Sequence, residues 1–289
     1  MDIPELLAHS PVLFLITAGL FSLMVGSFLN VVIHRLPIMM EQEWRLQCSE
    51  LQGQTTPAQE ATFNLWTPRS RCPACGHAIQ ATENIPLFSY LVQRGRCAHC
   101  QTPISAQYPL VEALSAILAV ITAWHFGFGW QTAAAFVLTW ALLALSVIDF
   151  QHQLLPDNIT LPFLWLGLGL ALFDVFTDLR SSVIGAMAGY LCLWGVYHLF
   201  RLLTGKEGMG YGDFKLLAML GAWQGWQHLP AIIIVSSAVG AVLGSLLILV
   251  SGRDRHVPIP FGPFLAAAGW ITLLWGEEIN ALYLNWMGL

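Results

Sequence analysis

The run Ala133-Ala134-Ala135-Phe136-Val137-Leu138-Thr139-Trp140-Ala141-Leu142-Leu143-Ala144-Leu145-Ser146-Val147-Ile148-Asp149-Phe150 decides the fold. It is apolar until it closes on a carboxylate. A stretch of roughly 17–25 such residues can cross a bilayer as a helix, because a helix satisfies its own backbone hydrogen bonds in hydrocarbon. Similar runs recur near 11–33, 109–128, 158–176, 182–200, 210–227, 229–250 and 259–276, which with 132–148 makes eight expected spans. The run after Asp213 is the weakest of them. Its apolar part is short and carries Gly221 and Gly225, which suits a partial helix packed inside a bundle. Across 289 residues, 56% are hydrophobic and only 10% are charged. Soluble domains carry about 25% charged residues. The expected fold is therefore an all-α polytopic membrane protein, and the net charge of -5 points away from a nucleic-acid partner.

The N-terminus, Met1-Asp2-Ile3-Pro4-Glu5, lacks the basic start of a secretory signal, so the first apolar run is expected to be a retained span. Residues 34–108 are polar and read as a small domain between the first span, 1–33, and a bundle over 109–289. Basic residues concentrate in cytoplasmic loops. With eight spans and the N-terminus outside, Arg35, Arg45, Arg69, Arg71, Arg94, Arg96, Arg201, Lys206, Lys215, Arg253 and Arg255 all face the cytoplasm. Arg180 alone faces outward. The same arrangement puts Asp149 and Asp213 at the cytoplasmic ends of the third and sixth spans.

Two cysteine pairs, Cys72 with Cys75 and Cys97 with Cys100, are separated by 21 residues. Two Cys-x-x-Cys knuckles at this spacing can offer four thiolates tetrahedrally to zinc. A redox dithiol is the rival reading. Four protein ligands would leave no open position, so the expected role of the metal is structural. His77 and His99 are then read as solvated loop residues.

A charge at the edge of hydrocarbon is costly and usually functional. Asp149 and Asp213 sit on separate spans at matching depth. Gly208, Gly210 and Gly212 lead into Asp213, and glycine permits close approach and unusual dihedrals. Two carboxylates brought together share a proton, so one can activate water while the other polarises a carbonyl. Asp157, after Leu154-Leu155-Pro156, is expected to cap a helix. Glu112 either supports a site or favours a helix N-terminus. His-Glu-x-x-His, Gly-x-Ser-x-Gly and Gly-x-Gly-x-x-Gly patterns are absent. A transporter with an aspartate relay is the competing class, but the internal repeats common in transporters are not seen.

The ordered segments Gly26-Ser27-Phe28-Leu29-Asn30-Val31-Val32-Ile33-His34-Arg35-Leu36-Pro37, the cysteine pairs, Tyr108-Pro109-Leu110-Val111-Glu112, Asp149 with Leu154-Leu155-Pro156-Asp157, Gly208-Met209-Gly210-Tyr211-Gly212-Asp213-Phe214-Lys215, and Pro260-Phe261-Gly262-Pro263-Phe264 run over nearly the whole chain. Together they resemble the Gly-x-Gly-Asp membrane aspartyl proteases, most closely the type IV prepilin peptidases (prepilin leader peptidase/N-methyltransferases). The resemblance implies a bacterial cytoplasmic-membrane enzyme whose substrates are type IV prepilins and the pilin-like proteins of type II secretion. It implies cleavage of the basic leader after a glycine, usually before phenylalanine, at the cytoplasmic face. It further implies N-methylation of the new terminus by S-adenosylmethionine. By motif position, Asp149 and Asp213 are the catalytic aspartates. No nucleotide-binding loop is visible to which the methyl donor can be assigned.

Overall fold

A computed structural model describes residues 3–53, 63–251 and 260–287. Among the described residues ten α-helices run in chain order: α1 Ile3–His9, α2 Pro11–Leu51, α3 Phe88–Val92, α4 Gln107–Phe126, α5 Trp130–His152, α6 Asp157–Ala171, α7 Leu179–Thr204, α8 Tyr211–Gln224, α9 Leu229–Ser251 and α10 Gly262–Met287. No strand occurs among the described residues; the only β-type pairings are two isolated bridges, Arg71 with Ala78 and Arg96 with Pro103. A helix lies on each of the eight apolar runs. Of these, α2, α4, α5 and α7 are each long and apolar enough to cross a bilayer. At 15 and 14 residues, α6 and α8 fall short of the roughly 20 needed for a full crossing. Arg253 and Arg255 lie outside the described residues.

The chain divides into two compact units, Met1–Ala144 and Leu145–Leu289, with the boundary inside α5. In the first unit α2 packs along α4. The Gly26 backbone abuts α4 so closely that a Cβ there would stand 2.8 Å from Glu112 Cα. Ser22 Oγ donates to the Ser115 carbonyl at 2.8 Å, and Asn30 Nδ2 donates to the Tyr108 carbonyl at 3.0 Å. Small and hydrogen-bonding residues thus replace the hydrophobic effect, which does not drive helices together in lipid. α2 passes residue 33 without a break and continues to Leu51, 41 residues in all. Its extension carries Pro37 inside the helix, beyond which Met, Glu, Gln and Leu, all strong helix formers, predominate, and Arg45 pairs with Glu41 one turn earlier at 2.7 Å. At 1.5 Å per residue α2 is about 60 Å long, twice the hydrocarbon thickness. The polar segment after the first span therefore starts as helix.

The second unit is organised round α8. Asp213, Phe214 and every residue from Leu216 to Gln224 are buried. Its neighbours admit it by presenting glycines. A Cβ at Gly185 of α7 would meet the Gly221 carbonyl oxygen at 2.3 Å, and one at Gly221 would meet the Gly185 oxygen at 2.2 Å, so the two backbones touch. Gly225, at φ +82°, ends α8 in a conformation glycine adopts freely. The Gln224 side chain then ties α8 to α10: its Nε2 donates to the Gly269 carbonyl at 2.9 Å, and Thr272 Oγ1 donates to its Oε1 at 2.9 Å.

Candidate active site and metal centre

Asp149 lies in the last turn of α5 and Asp213 in the first turn of α8. Both are buried, at 6% and 7% exposure, so they are not carboxylates simply solvated at an interface. Gly262, the first residue of α10, donates its N–H to Asp149 Oδ2 at 3.0 Å. Asp213 is close enough to Asp149 for the two carboxylates to interact electrostatically. Its backbone N–H reaches the Gly210 carbonyl at 3.3 Å, and it is the acidic residue in the first turn of α8, where the helix dipole favours a carboxylate.

Of the two properties expected of the glycines, the structure uses close approach and not unusual dihedrals. Gly208, Gly210 and Gly212 all avoid the left-handed region. Gly212 lacks a side chain because Leu155 occupies the space: a Cβ there would stand 2.7 Å from Leu155 Cβ. Leu155 also reaches Gly262, where a Cβ would lie 3.2 Å from Leu155 Cδ1 and 2.5 Å from Asp149 Oδ2. One side chain from the α5–α6 turn therefore packs against the glycine beside each aspartate. The sequence places Leu155 in a motif, but only the packing reveals this role.

Asp157 is not the cap of α6. Pro156 holds that position, and Asp157 is the first helical residue. Its carboxylate instead receives Lys215 Nζ at 2.7 Å on both oxygens, in a partly exposed ion pair. Proline before it supplies the extended backbone that a cap requires, which shifts the carboxylate one position inward.

In the first unit, the Sγ atoms of Cys72, Cys75, Cys97 and Cys100 all lie within 4.8 Å of one another. Cys72 and Cys100 are 3.7 Å apart; a tetrahedron of thiolates on zinc at 2.3 Å requires sulfurs about 3.8 Å apart. The residues present therefore fit a tetrahedral metal ion. The two knuckles repeat one geometry. Cys72 N–H donates to the His77 carbonyl and Gly76 N–H to Cys72, just as Cys97 N–H donates to Thr102 and Gln101 N–H to Cys97. Gly76 and Gln101 occupy the same left-handed slot, at φ +72° and +59°. Hydrogen bonds from Thr102, from its hydroxyl and then its backbone, lower the Cys100 thiol to about 6, whereas Cys75 is pushed up to about 12, against a hydrogen bond from the His77 backbone, by burial and the neighbouring thiols. His77 and His99 are not merely solvated: their rings stack at 5.3 Å, and His77 Nε2 lies 3.2 Å from Glu83 Oε2.

Glu112 does not occupy the first turn of α4, so helix-terminus stabilisation does not explain it. It is buried, and its Oε2 accepts the Leu87 N–H at 2.9 Å. It joins the cysteine module to the α2–α4 pair. Arg35, also buried, does the same from α2, donating to the Asn64 and Pro68 carbonyls at 2.8 and 2.6 Å.

Comparison with known proteins agrees with these motifs. The bacterial peptidase A24 N-terminal domain matches residues 20–126, and the type IV leader peptidase family matches residues 136–245. The chain is 55% identical to the prepilin leader peptidase/N-methyltransferase of Stutzerimonas stutzeri over 99% of both chains. It is 58% identical to the protein of that name from Aeromonas hydrophila, over 96% of this chain and 97% of the other. It is 45% identical to that from Legionella pneumophila, over 99% of this chain and 100% of the other. No solved structure matches significantly. With relatives this similar along its whole length, the chain belongs to the type IV leader peptidase family.

Proposed function

We infer that this chain is a membrane aspartyl endopeptidase and N-methyltransferase acting on type IV prepilins and the pilin-like proteins of type II secretion. The observation that carries the peptidase half is the pair of buried carboxylates, Asp149 held by the Gly262 N–H and Asp213 within electrostatic reach of it. In the proposed reaction, the ionised member of the pair takes a proton from water as the oxygen attacks the scissile carbonyl carbon. The protonated member gives its proton to the carbonyl oxygen. Collapse of the tetrahedral intermediate breaks the C–N bond, and the departing nitrogen takes up a proton to leave as an amine. General acid and base assistance of this kind is worth about 10²–10⁴-fold per group.

The functional division is a first span over 1–33, a cytoplasmic module over 34–108 and a catalytic bundle over 109–289. The enzyme sits in the bacterial cytoplasmic membrane with module and aspartates facing the cytoplasm, which the crowding of basic residues into 34–108 supports. A prepilin's apolar helix would lie among the spans while its basic leader stays cytoplasmic, bringing the bond after the leader's glycine to the level of the aspartates. Zinc on Cys72, Cys75, Cys97 and Cys100 is structural: four thiolates fill its coordination and join two knuckles 21 residues apart. The second half-reaction needs a methyl donor, assigned as S-adenosylmethionine, which supplies an electrophilic methyl to the new terminal amine.

Purified enzyme incubated with a prepilin should remove the leader in the absence of S-adenosylmethionine. Adding the donor should increase the mature pilin's mass by one methyl group. An intact prepilin under both conditions would overturn the reading; leader loss with no mass gain would remove the methyltransferase half.

A further inference from the structure

The short helix α3 is built inside out. Its inward residue is polar: Ser89 is buried, donates from Oγ to the Thr82 carbonyl at 2.9 Å, and accepts the Ile85 N–H at 2.9 Å. Its apolar residues point away from the module. Phe88, Leu91 and Val92, spaced i, i+3 and i+4, are 61%, 72% and 65% exposed. Three apolar side chains on one face of so short a helix, with the polar face satisfied internally, form a patch that no described residue covers, the kind of surface that marks an interaction site.

Two contacts set the level at which α3 lies. Leu87, immediately before α3, donates its N–H to Glu112, the sixth residue of the span α4. At 1.5 Å per residue that is about 7 Å along α4 from its start. Trp66 rests its ring on Phe28 of the span α2, with centroids 5.9 Å apart, and both rings are exposed. The module is thus tied to two spans below their module-side ends. Those spans also expose apolar side chains near the tethers, Phe28 on α2 and Leu110 on α4. Arg94 and Arg96 follow α3 and are also exposed. Apolar side chains flanked by arginines, at the level of a span's end, match the boundary between acyl chains and anionic headgroups.

We propose that the cysteine module is seated on the membrane: α3 lays Phe88, Leu91 and Val92 into the bilayer interface, with Trp66 beside it and Arg94 and Arg96 at the headgroups. The occupant of this face is lipid. The module's position relative to the spans is then set by the bilayer as well as by Glu112 and Arg35.

The test does not depend on enzymatic activity. A photo-reactive benzophenone amino acid is placed at Leu91, at Ile117 on the exposed face of α4, and at Gln101 in the second knuckle. Each full-length protein is reconstituted in nanodiscs of phosphatidylcholine and phosphatidylglycerol, irradiated and analysed by mass. Lipid adducts at Leu91 should match those at Ile117 and exceed those at Gln101 by at least about tenfold. Adducts at Leu91 with a second copy of the chain, or none while Ile117 labels, would overturn the proposal.

Discussion

The Gly262 N–H donates to Asp149 Oδ2 at 3.0 Å, and that oxygen occupies the space where a side chain at 262 would begin. Gly262 and Asp149 are 113 residues apart in sequence. Gly262→Ala keeps the N–H but introduces a Cβ 2.5 Å from the carboxylate, against Leu155 on its other side. Misplacing a reacting group by about 1 Å costs on the order of 10²-fold in rate. Prepilin cleavage by Gly262→Ala should fall by about that factor, with its thermal unfolding midpoint as a check on folding. Cleavage at the wild-type rate would show that this contact does not position the carboxylate.

The contact of Gly185 with Gly221 has no side chain that can move aside. Gly221→Val would force α7 from α8, and overpacking of this kind typically costs about 1–3 kcal/mol or more. The variant should unfold at lower temperature in detergent, and cleavage should fail with the loss of structure. Gly169→Ala, where a Cβ meets nothing within 4 Å, should leave the midpoint unchanged or slightly higher.

The metal centre should be separable from the helical bundle. Chelator with reductant should release about one zinc per chain, as should Cys72→Ser, because four thiolates make one closed site. Amide exchange should then quicken in residues 70–104, where the knuckles have little core of their own, while α8 stays protected. Full metal retention by Cys72→Ser, or uniform loss of protection along the chain, would contradict a self-contained structural zinc site.

Glu112→Ala removes the acceptor of the Leu87 N–H and should cost about 1–3 kcal/mol locally. Exchange at Leu87 and through α3 should accelerate. Glu112→Gln can still accept with its amide oxygen and should restore most of the protection. Equal effects from both substitutions would mean that the carboxylate's charge, rather than acceptance of this hydrogen bond, sets the order of α3.

The fold class was legible because apolar length is a strong signal, and each of the eight runs carries a helix. The cysteine pairs were equally clear, since ligand spacing is local in sequence. Less visible were relations that depend on which residues meet. Asp157 looked like a cap because Asp before an apolar run usually is one, but Pro156 takes the position and Lys215, 58 residues away, takes the carboxylate. Close approach at Gly212 was expected, but the sequence does not show that Leu155 is the side chain that fills the room it leaves. The continuation of α2 to Leu51 was hidden by reading hydropathy, which reports where hydrocarbon ends but not where a helix does.

The proposed hydrolysis needs Asp149 and Asp213 together, one as base and one as acid. The most direct measurement is the rate of leader loss from a prepilin by Asp149→Asn and by Asp213→Asn, followed by mass. Each asparagine preserves shape and hydrogen-bonding capacity while removing the transferable proton. Each variant should cleave at least about 100-fold more slowly, with unchanged zinc content and unfolding midpoint. Leader loss at the wild-type rate by either folded variant would contradict the paired-carboxylate mechanism.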